Sequence, residues 1–383
     1  MRSLLLGYAL ALGAAPVSGP VSGQIPEWTL ERGVTIGRVD DPVYGLTRVG
    51  GVLADAERVF VLQPEDGTVR VFSRAGEFIR DLGRRGEGPG EFTRPNGMGW
   101  HGSRLWIKES MSPRLTFFDV ATGEAETIRY RADVPGSPNR WMPLAVLADG
   151  RIVASPQLTT GPGGAMGASE LPVIVTEPDG TLRDTLTRQS IDGLVGRITA
   201  GRSVGETWVT SPIPDLDFVT FAPDGSSVVV VKRQGWDGRT DPAEFEVTRL
   251  DVHGDTVYRR RIEYEPRPVP SDYFDDRIAD GMDRPNISNR RAYARALREF
   301  YEQRRYFPPV TSVAVANDGT AWLARQREDG EREWLVLDGS GSAIGRFRLP
   351  RGGGIWFANL TECWVVESDA LDIPYVVQYN IVR

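Results

Sequence analysis

A unit of four short strands that recurs six times, glycine turns at matching places in five of the copies, and no crossover helix between copies predict an all-β fold. The architecture that satisfies all three is a six-bladed β-propeller of four-stranded antiparallel blades, in which radial repetition leaves only short, protected edges. Composition agrees. The 383 residues are 40% hydrophobic and 25% charged, enough to build a large core, and 43 Gly with 27 Pro mark a chain rich in tight turns.

Each unit opens on a short apolar strand: Val52 to Asp55, Gly97 to Trp100, Leu144 to Leu147, Phe218 to Phe221, Ser312 to Val315 and Ile355 to Ala358. Asp149-Gly150, Asp224-Gly225 and Asp318-Gly319 follow three of them, and Asp-Gly suits the positive φ of a two-residue hairpin. The second strands, Arg58 to Leu62, Arg104 to Lys108, Arg151 to Ser155, Ser227 to Val231, Thr320 to Ala324 and Glu362 to Val366, are apolar on both faces, as the middle of a stacked sheet requires. Third strands end at Gly76, Gly123, Gly180, Gly254 and Gly341, each behind turn-forming residues. A more polar fourth strand follows, such as Glu77 to Leu82 or Thr256 to Ile262. The sixth unit has three strands and stops at Arg383, while Trp28 to Thr35 is a strand without a blade; the sequence thus predicts that the N-terminal strand closes the last blade.

Residues 1–23 read as a signal peptide: Arg2, an apolar run from Leu4 to Ala15, and small residues before a cut after Gly23. That predicts an exported chain, periplasmic or extracellular, with 24–383 a single propeller domain. No Cys stands near the junction, so no lipid anchor is expected, and no later run of about 18 apolar residues could span a membrane. Net charge is −7, against a nucleic-acid partner. Two His and one Cys are too few for zinc clusters, multi-His iron sites or Cys-based redox chemistry. Cys363 reads as a small buried hydrophobe. His101 and His253 fall in turns of different blades, on the face opposite the blade connections.

Residues 270–306 interrupt the repeat between blades 4 and 5. Ser271 and Ser288 are candidate caps of a short and a longer helix. Tyr293, Leu297 and Tyr301, with Phe300 beside them, form an apolar stripe, and Arg290, Arg291, Arg295, Arg298, Arg304 and Arg305 outnumber Glu299 and Glu302. A cationic lid over the channel and a helix that merely stiffens the ring are both compatible with this pattern.

The segment Gly83-Arg84-Arg85-Gly86-Glu87-Gly88-Pro89-Gly90-Glu91-Phe92, followed by Arg94-Pro95-Asn96-Gly97, resembles the linker between NHL-type repeats, where a Gly-rich turn, a Gly-x-Phe and a Pro-x-Gly lead into the next blade. The whole of 24–383 is similar to the secreted bacterial six-bladed propellers related to NHL repeats. That resemblance implies a ligand at the face carrying the blade-to-blade connections. Candidate binding residues on that face are Arg84, Arg85, Arg94, Asn96, Glu109, Arg140, Lys232, Arg325 and Glu367. The Gly-rich linker lacks the Gly-Lys-Ser/Thr of a P-loop, but its N–H groups could form an anion nest. Asn96, Glu109, Asp215, Asp217 and Glu367 could instead supply the oxygens of a Ca²⁺ site, as in calcium-dependent lactonases and esterases of similar fold. The ends of the second strands, Gln63, Glu109, Pro156, Lys232, Arg325 and Glu367, mix both signs and could simply neutralise one another. The reading that uses most of these features is a secreted, monomeric, non-catalytic binding propeller without a cofactor, its partner an envelope component, glycan or protein. Ca²⁺-dependent hydrolysis is the alternative.

Overall fold

The computed structural model describes residues 25–39, 41–137, 140–158, 168–191, 193–199, 206–214, 216–233, 242–282, 289–326, 332–349 and 353–383. The expected signal segment, Asp215, Ser288 and most of the loop from Gln157 to Glu170 lie outside them.

Strand β1 (Thr29–Ile36) precedes blade 1, which is β2 (Gly51–Ala54), β3 (Arg58–Gln63), β4 (Thr68–Ser73) and β5 (Phe78–Leu82). A short parallel ladder of β6 (Arg84–Arg85) and β7 (Glu91–Phe92) leads to blade 2: β8 (Pro95–His101), β9 (Arg104–Glu109), β10 (Arg114–Asp119) and β11 (Ala125–Arg129). Blade 3 is β12 (Trp141–Val146), β13 (Ile152–Pro156), β14 (Glu170–Thr176) and β15 (Leu182–Ser190), followed by the hairpin β16 (Val195–Thr199) and β17 (Glu206–Thr210). Blade 4 is β18 (Phe218–Phe221), β19 (Ser227–Lys232), β20 (Glu244–Asp251) and β21 (Thr256–Glu263); helices α1 (Asp275–Met282) and α2 (Arg290–Tyr301) come next. Blade 5 is β22 (Ser312–Val315), β23 (Ala321–Gln326), β24 (Arg332–Leu337) and β25 (Ala343–Leu349). Blade 6 is β26 (Gly354–Ala358), β27 (Glu362–Ser368) and β28 (Pro374–Val382), with β1 as its outer strand.

The predicted six-bladed ring is therefore present, and so is its closure: β1 pairs antiparallel with β28 from Thr29↔Val382 to Ile36↔Val376. The residues just before β1 tie down the neighbouring blade as well. Trp28 N–H donates to the Arg346 carbonyl at 2.7 Å, and the Trp28 ring packs between Trp322 and Phe347 in the wedge shared by blades 5 and 6. The core consists of such wedges between adjacent sheets. This is why the second strands are apolar on both faces, with Val59 to Gln63 of β3 all buried, whereas the outer β21 alternates between exposed and buried.

The glycine turns have a different geometry from the expected two-residue hairpin. Gly76, Gly123, Gly180, Gly254 and Gly341 adopt φ of 81 to 93°, but the Asp before a turn glycine does not share the positive φ. At Asp149-Gly150, Gly150 N–H donates to the Leu147 carbonyl and Leu147 N–H to the Arg151 carbonyl, which closes a three-residue loop with glycine in the left-handed position. In several turns, as at Asp251 and Asp338, the carboxylate accepts from the backbone N–H groups ahead of it. His101 and His253 lie at the lower face, formed by these turns, as expected.

The insertion is a satellite of the ring. Helix α2 is capped by Asn289, whose side chain accepts from Ala292 N–H, rather than by Ser288, and α1 begins at Asp275, past a turn over residues 270–274, rather than after Ser271. Tyr293, Leu297 and Tyr301 are buried, but against Phe274 in the turn before α1, Ile278 of α1, and Ile198 and Val209 of the hairpin between blades 3 and 4. That hairpin is not among the elements expected from the sequence. Its Gly196 leaves room for the Phe300 ring, which a Cβ there would approach to 2.2 Å.

Candidate functional site

The inner strands surround a cavity of about 780 Å³. It is built by local departures from regular pairing. Three inner strands carry a bulge, and in each the extra residue turns its side chain into the cavity: Asn96 in β8, Leu144 in β12 and Trp356 in β26. Trp356 is 44% exposed, unusual for an indole in the inner strand of a closed ring.

Blade 2 adds a second device. In register, Gly97 faces Lys108 and Gly99 faces Trp106. A Cβ on Gly97 would come within 2.7 Å of Lys108 Cε, and one on Gly99 within 2.5 Å of the Trp106 ring. Without those Cβ atoms, two side chains of the second strand lie across the inner strand and line the cavity. Lys108 Nζ is 3.2 Å from Asn96 Oδ1. Burial in this wall pulls the Lys108 ammonium down to about 8. Trp106 is buried, and its Nε1 has no acceptor. Below, Trp100 N–H donates at 2.6 Å to the Pro223 carbonyl, a bridge from blade 2 to blade 4 across the lower mouth.

Of the nine residues expected at the site, only Asn96 lines this cavity. Glu109 ends β9 with its carboxylate on the other side of the strand from Lys108. It accepts from Thr93 N–H at 2.6 Å and Thr93 Oγ1 at 3.0 Å and pairs with the buried Arg114 guanidinium at 2.9 Å. Gln63 holds Thr47 in the same way one blade earlier, so this position clasps the incoming linker. Glu367 is bound to Arg32 and to the Tyr379 hydroxyl in blade 6. Arg325 pairs with Glu333 at a separate crevice of about 650 Å³ by the root of the insertion. Lys232, Arg85, Arg94 and Arg140 are exposed and do not reach the cavity. Arg84 pairs with Glu91, whose carboxylate also accepts from Gly88 N–H at 2.9 Å. The anion nest expected of the Gly-rich linker is thus filled by Glu91, and these contacts hold its carboxyl below the usual range.

The described Ca²⁺ candidates do not converge on one point. Besides Glu109 and Glu367, Asp217 is committed, accepting from Ser190 N–H and Arg233 N–H. Among the described residues no three of His, Cys, Asp and Glu stand together. No described residue of 270–306 lines the cavity, and the apolar stripe packs on the hairpin. The missed site residues had a readable signal: Gly-x-Gly in a first strand opposite Trp-x-Lys in the second.

The model of a family described as a 6-bladed β-propeller matches residues 45–133, which span blades 1 and 2. The chain is a six-bladed β-propeller. A crystal structure of a protein described as exported, from Bacteroides fragilis, superposes with a TM-score of 0.51 at 11% identity, covering 96% of this propeller and 99% of that chain. The calcium-binding protein regucalcin from Agrobacterium tumefaciens gives 0.39 at 12% identity, with 96% and 97% covered. The PQQ-bound aldose sugar dehydrogenase of Streptomyces coelicolor gives 0.44 at 12% identity, with 96% and 100% covered. No curated protein matches the propeller in sequence. None of its described helices is long and apolar enough to cross a membrane.

Proposed function

We propose that this propeller is an exported binding module whose channel holds a small organic ligand without transforming it. The observation that carries the reading is the construction of the cavity wall: three bulges and two glycine gaps all turn side chains into one space of about 780 Å³. Bulges and strand glycines cost pairing energy, and their convergence on one cavity fits a site selected for occupancy. The volume falls within the range of about 300–1,000 Å³ common for small-molecule pockets. The apolar run from Leu4 to Ala15 supports export. Against hydrolysis stands the commitment of Glu109, Asp217 and Glu367 to structural contacts.

The test is a thermal-shift screen of the purified protein against a library of small organic acids, amides and sugars, repeated on Gly97→Leu, which fills the space over which Lys108 lies. Ligands that raise the melting temperature of the parent and not of Gly97→Leu are expected, because selective binding to the native state stabilises it by mass action. Calcium-dependent turnover of a lactone or ester, or a library without a single stabilising compound, overturns the reading.

A further inference from the structure

Resting on the reading of the channel as a ligand site, we infer that its ligand is a small aromatic carboxylate, with the acid group held by Lys108 and the ring against Trp356. Among the described residues, the ionisable side chains lining the cavity are Lys108 and Arg332, both cationic, and no described carboxylate shares the space. Arg332 stands in blade 5, opposite blade 2 in a six-membered ring, and donates to the Gly353 carbonyl at 2.8 Å. Among the described residues, the hydrogen-bond partner of Lys108 Nζ is the neutral Asn96 amide. On the strands flanking it, β8 places Gly97 and β10 places Leu115 in register with it, so neither offers a counter-charge. The nearest acid in sequence, Glu109, is turned away and paired with Arg114.

A half-buried ammonium without an anion beside it is costly, and a bound carboxylate removes that cost while forming a charge-assisted hydrogen bond. The same charge repels metal ions. Trp106 adds its indole ring to the same wall. The rest of the lining sets the body of the ligand. Exposed Trp356 with Met98 and Leu144 offers flat apolar surface, which a hydrated inorganic anion would leave unused and an aryl group covers.

The experiment is calorimetric titration of the whole protein with matched pairs, benzoate against benzamide and indole-3-acetate against indole-3-acetamide. At pH 7 the acid of at least one pair is expected to bind about tenfold or more tightly than its amide, the worth of one charge-assisted contact. Lys108→Met should abolish that preference and Lys108→Arg should keep it. The preference should also fade between pH 7 and pH 9.5 as the amine loses its proton. Equal binding of acid and amide, or a preference that survives in Lys108→Met, overturns the inference and leaves the binding module standing. Failure of the binding module itself shows separately, as a library screen without any stabilising compound.

Discussion

Lys108 lies across Gly97: its Cε occupies the space a Cβ on that inner-strand residue would claim, at 2.7 Å. A second-strand side chain reaches the channel of a propeller only past a gap in the first strand, and the two glycines of β8 make that gap. The same strand supplies the bulged Asn96 that meets the ammonium. Blade 2 therefore supplies the Asn96–Lys108 pair of the cavity wall.

Gly99→Ala is expected to destabilise the fold by about 1–3 kcal/mol, the cost of overpacking a filled interior. Its Cβ would lie 2.7 Å from the Pro223 carbonyl and 2.5 Å from the Trp106 ring, and neither is the free end of a flexible chain. Gly97→Ala meets the movable end of Lys108 and should cost less. Urea denaturation of both variants checks the order; equal losses would contradict the geometry.

Lys108→Met should stabilise the protein at pH 7, by about 1–3 kcal/mol given the half-buried side chain. The folded ammonium titrates near 8, below its ordinary value, so below pH 8 both states are protonated and the folded state bears the full cost. Between pH 8 and about 10.4 the unfolded chain holds a proton that the folded one has released, and parent stability rises with pH. Melting curves of parent and variant should converge over that window. Curves that stay parallel would show that Lys108 is not desolvated.

Glu109→Ala should cost about 3–5 kcal/mol by leaving the Arg114 guanidinium buried without its anion. Arg114 also donates to the carbonyls of Glu87 and Glu91, so the double variant Glu109→Ala/Arg114→Ala should lose less than the sum of the two single losses but not return to the parent. A double-mutant cycle by chemical denaturation measures this coupling, and strict additivity would refute it.

Trp28→Ala should cost about 3–5 kcal/mol, comparable to a core substitution, although the residue precedes every strand. It is 4% exposed and packs on Trp322 and Phe347 in the wedge between blades 5 and 6. A loss below about 1 kcal/mol in urea denaturation would mean that the closure by β1 does not stabilise the ring.

Cys363 should resist a disulfide reagent at pH 8 in the native protein and react once denatured. Burial pushes its thiol up to about 12, and the thiolate is the reactive form. Rapid native labelling, followed spectrophotometrically, would contradict this.

The repeat was legible because strand period and turn chemistry are local. Gly76 through Gly341 mark left-handed turn positions that residues with a Cβ occupy only under strain, and the both-face apolar strands record stacking on two neighbours. The hairpin after blade 3 left no comparable mark, since Val195 to Thr199 is short and its burial comes from helices some ninety residues later in the chain. Glu109 and Lys108 show why the site was harder to read. They are adjacent at the end of one strand, yet the alternation of a strand sends one to the linker and the other to the channel.

By itself the sequence determined the ring: six strand repeats, glycine turns and an orphan strand for the last blade, all set by backbone preferences that act over a few residues. Only the tertiary structure decided the site. Which polar residues face the channel depends on a bulge at Asn96, another at Trp356 and the absence of two Cβ atoms in β8, and these acquire meaning only when strands from different blades share one space. Charges that look available in a linear chain, such as Glu91, Glu109 and Glu367, are claimed by partners that folding brings to them, because a buried or linker-bound carboxylate is stable only with its donors in place.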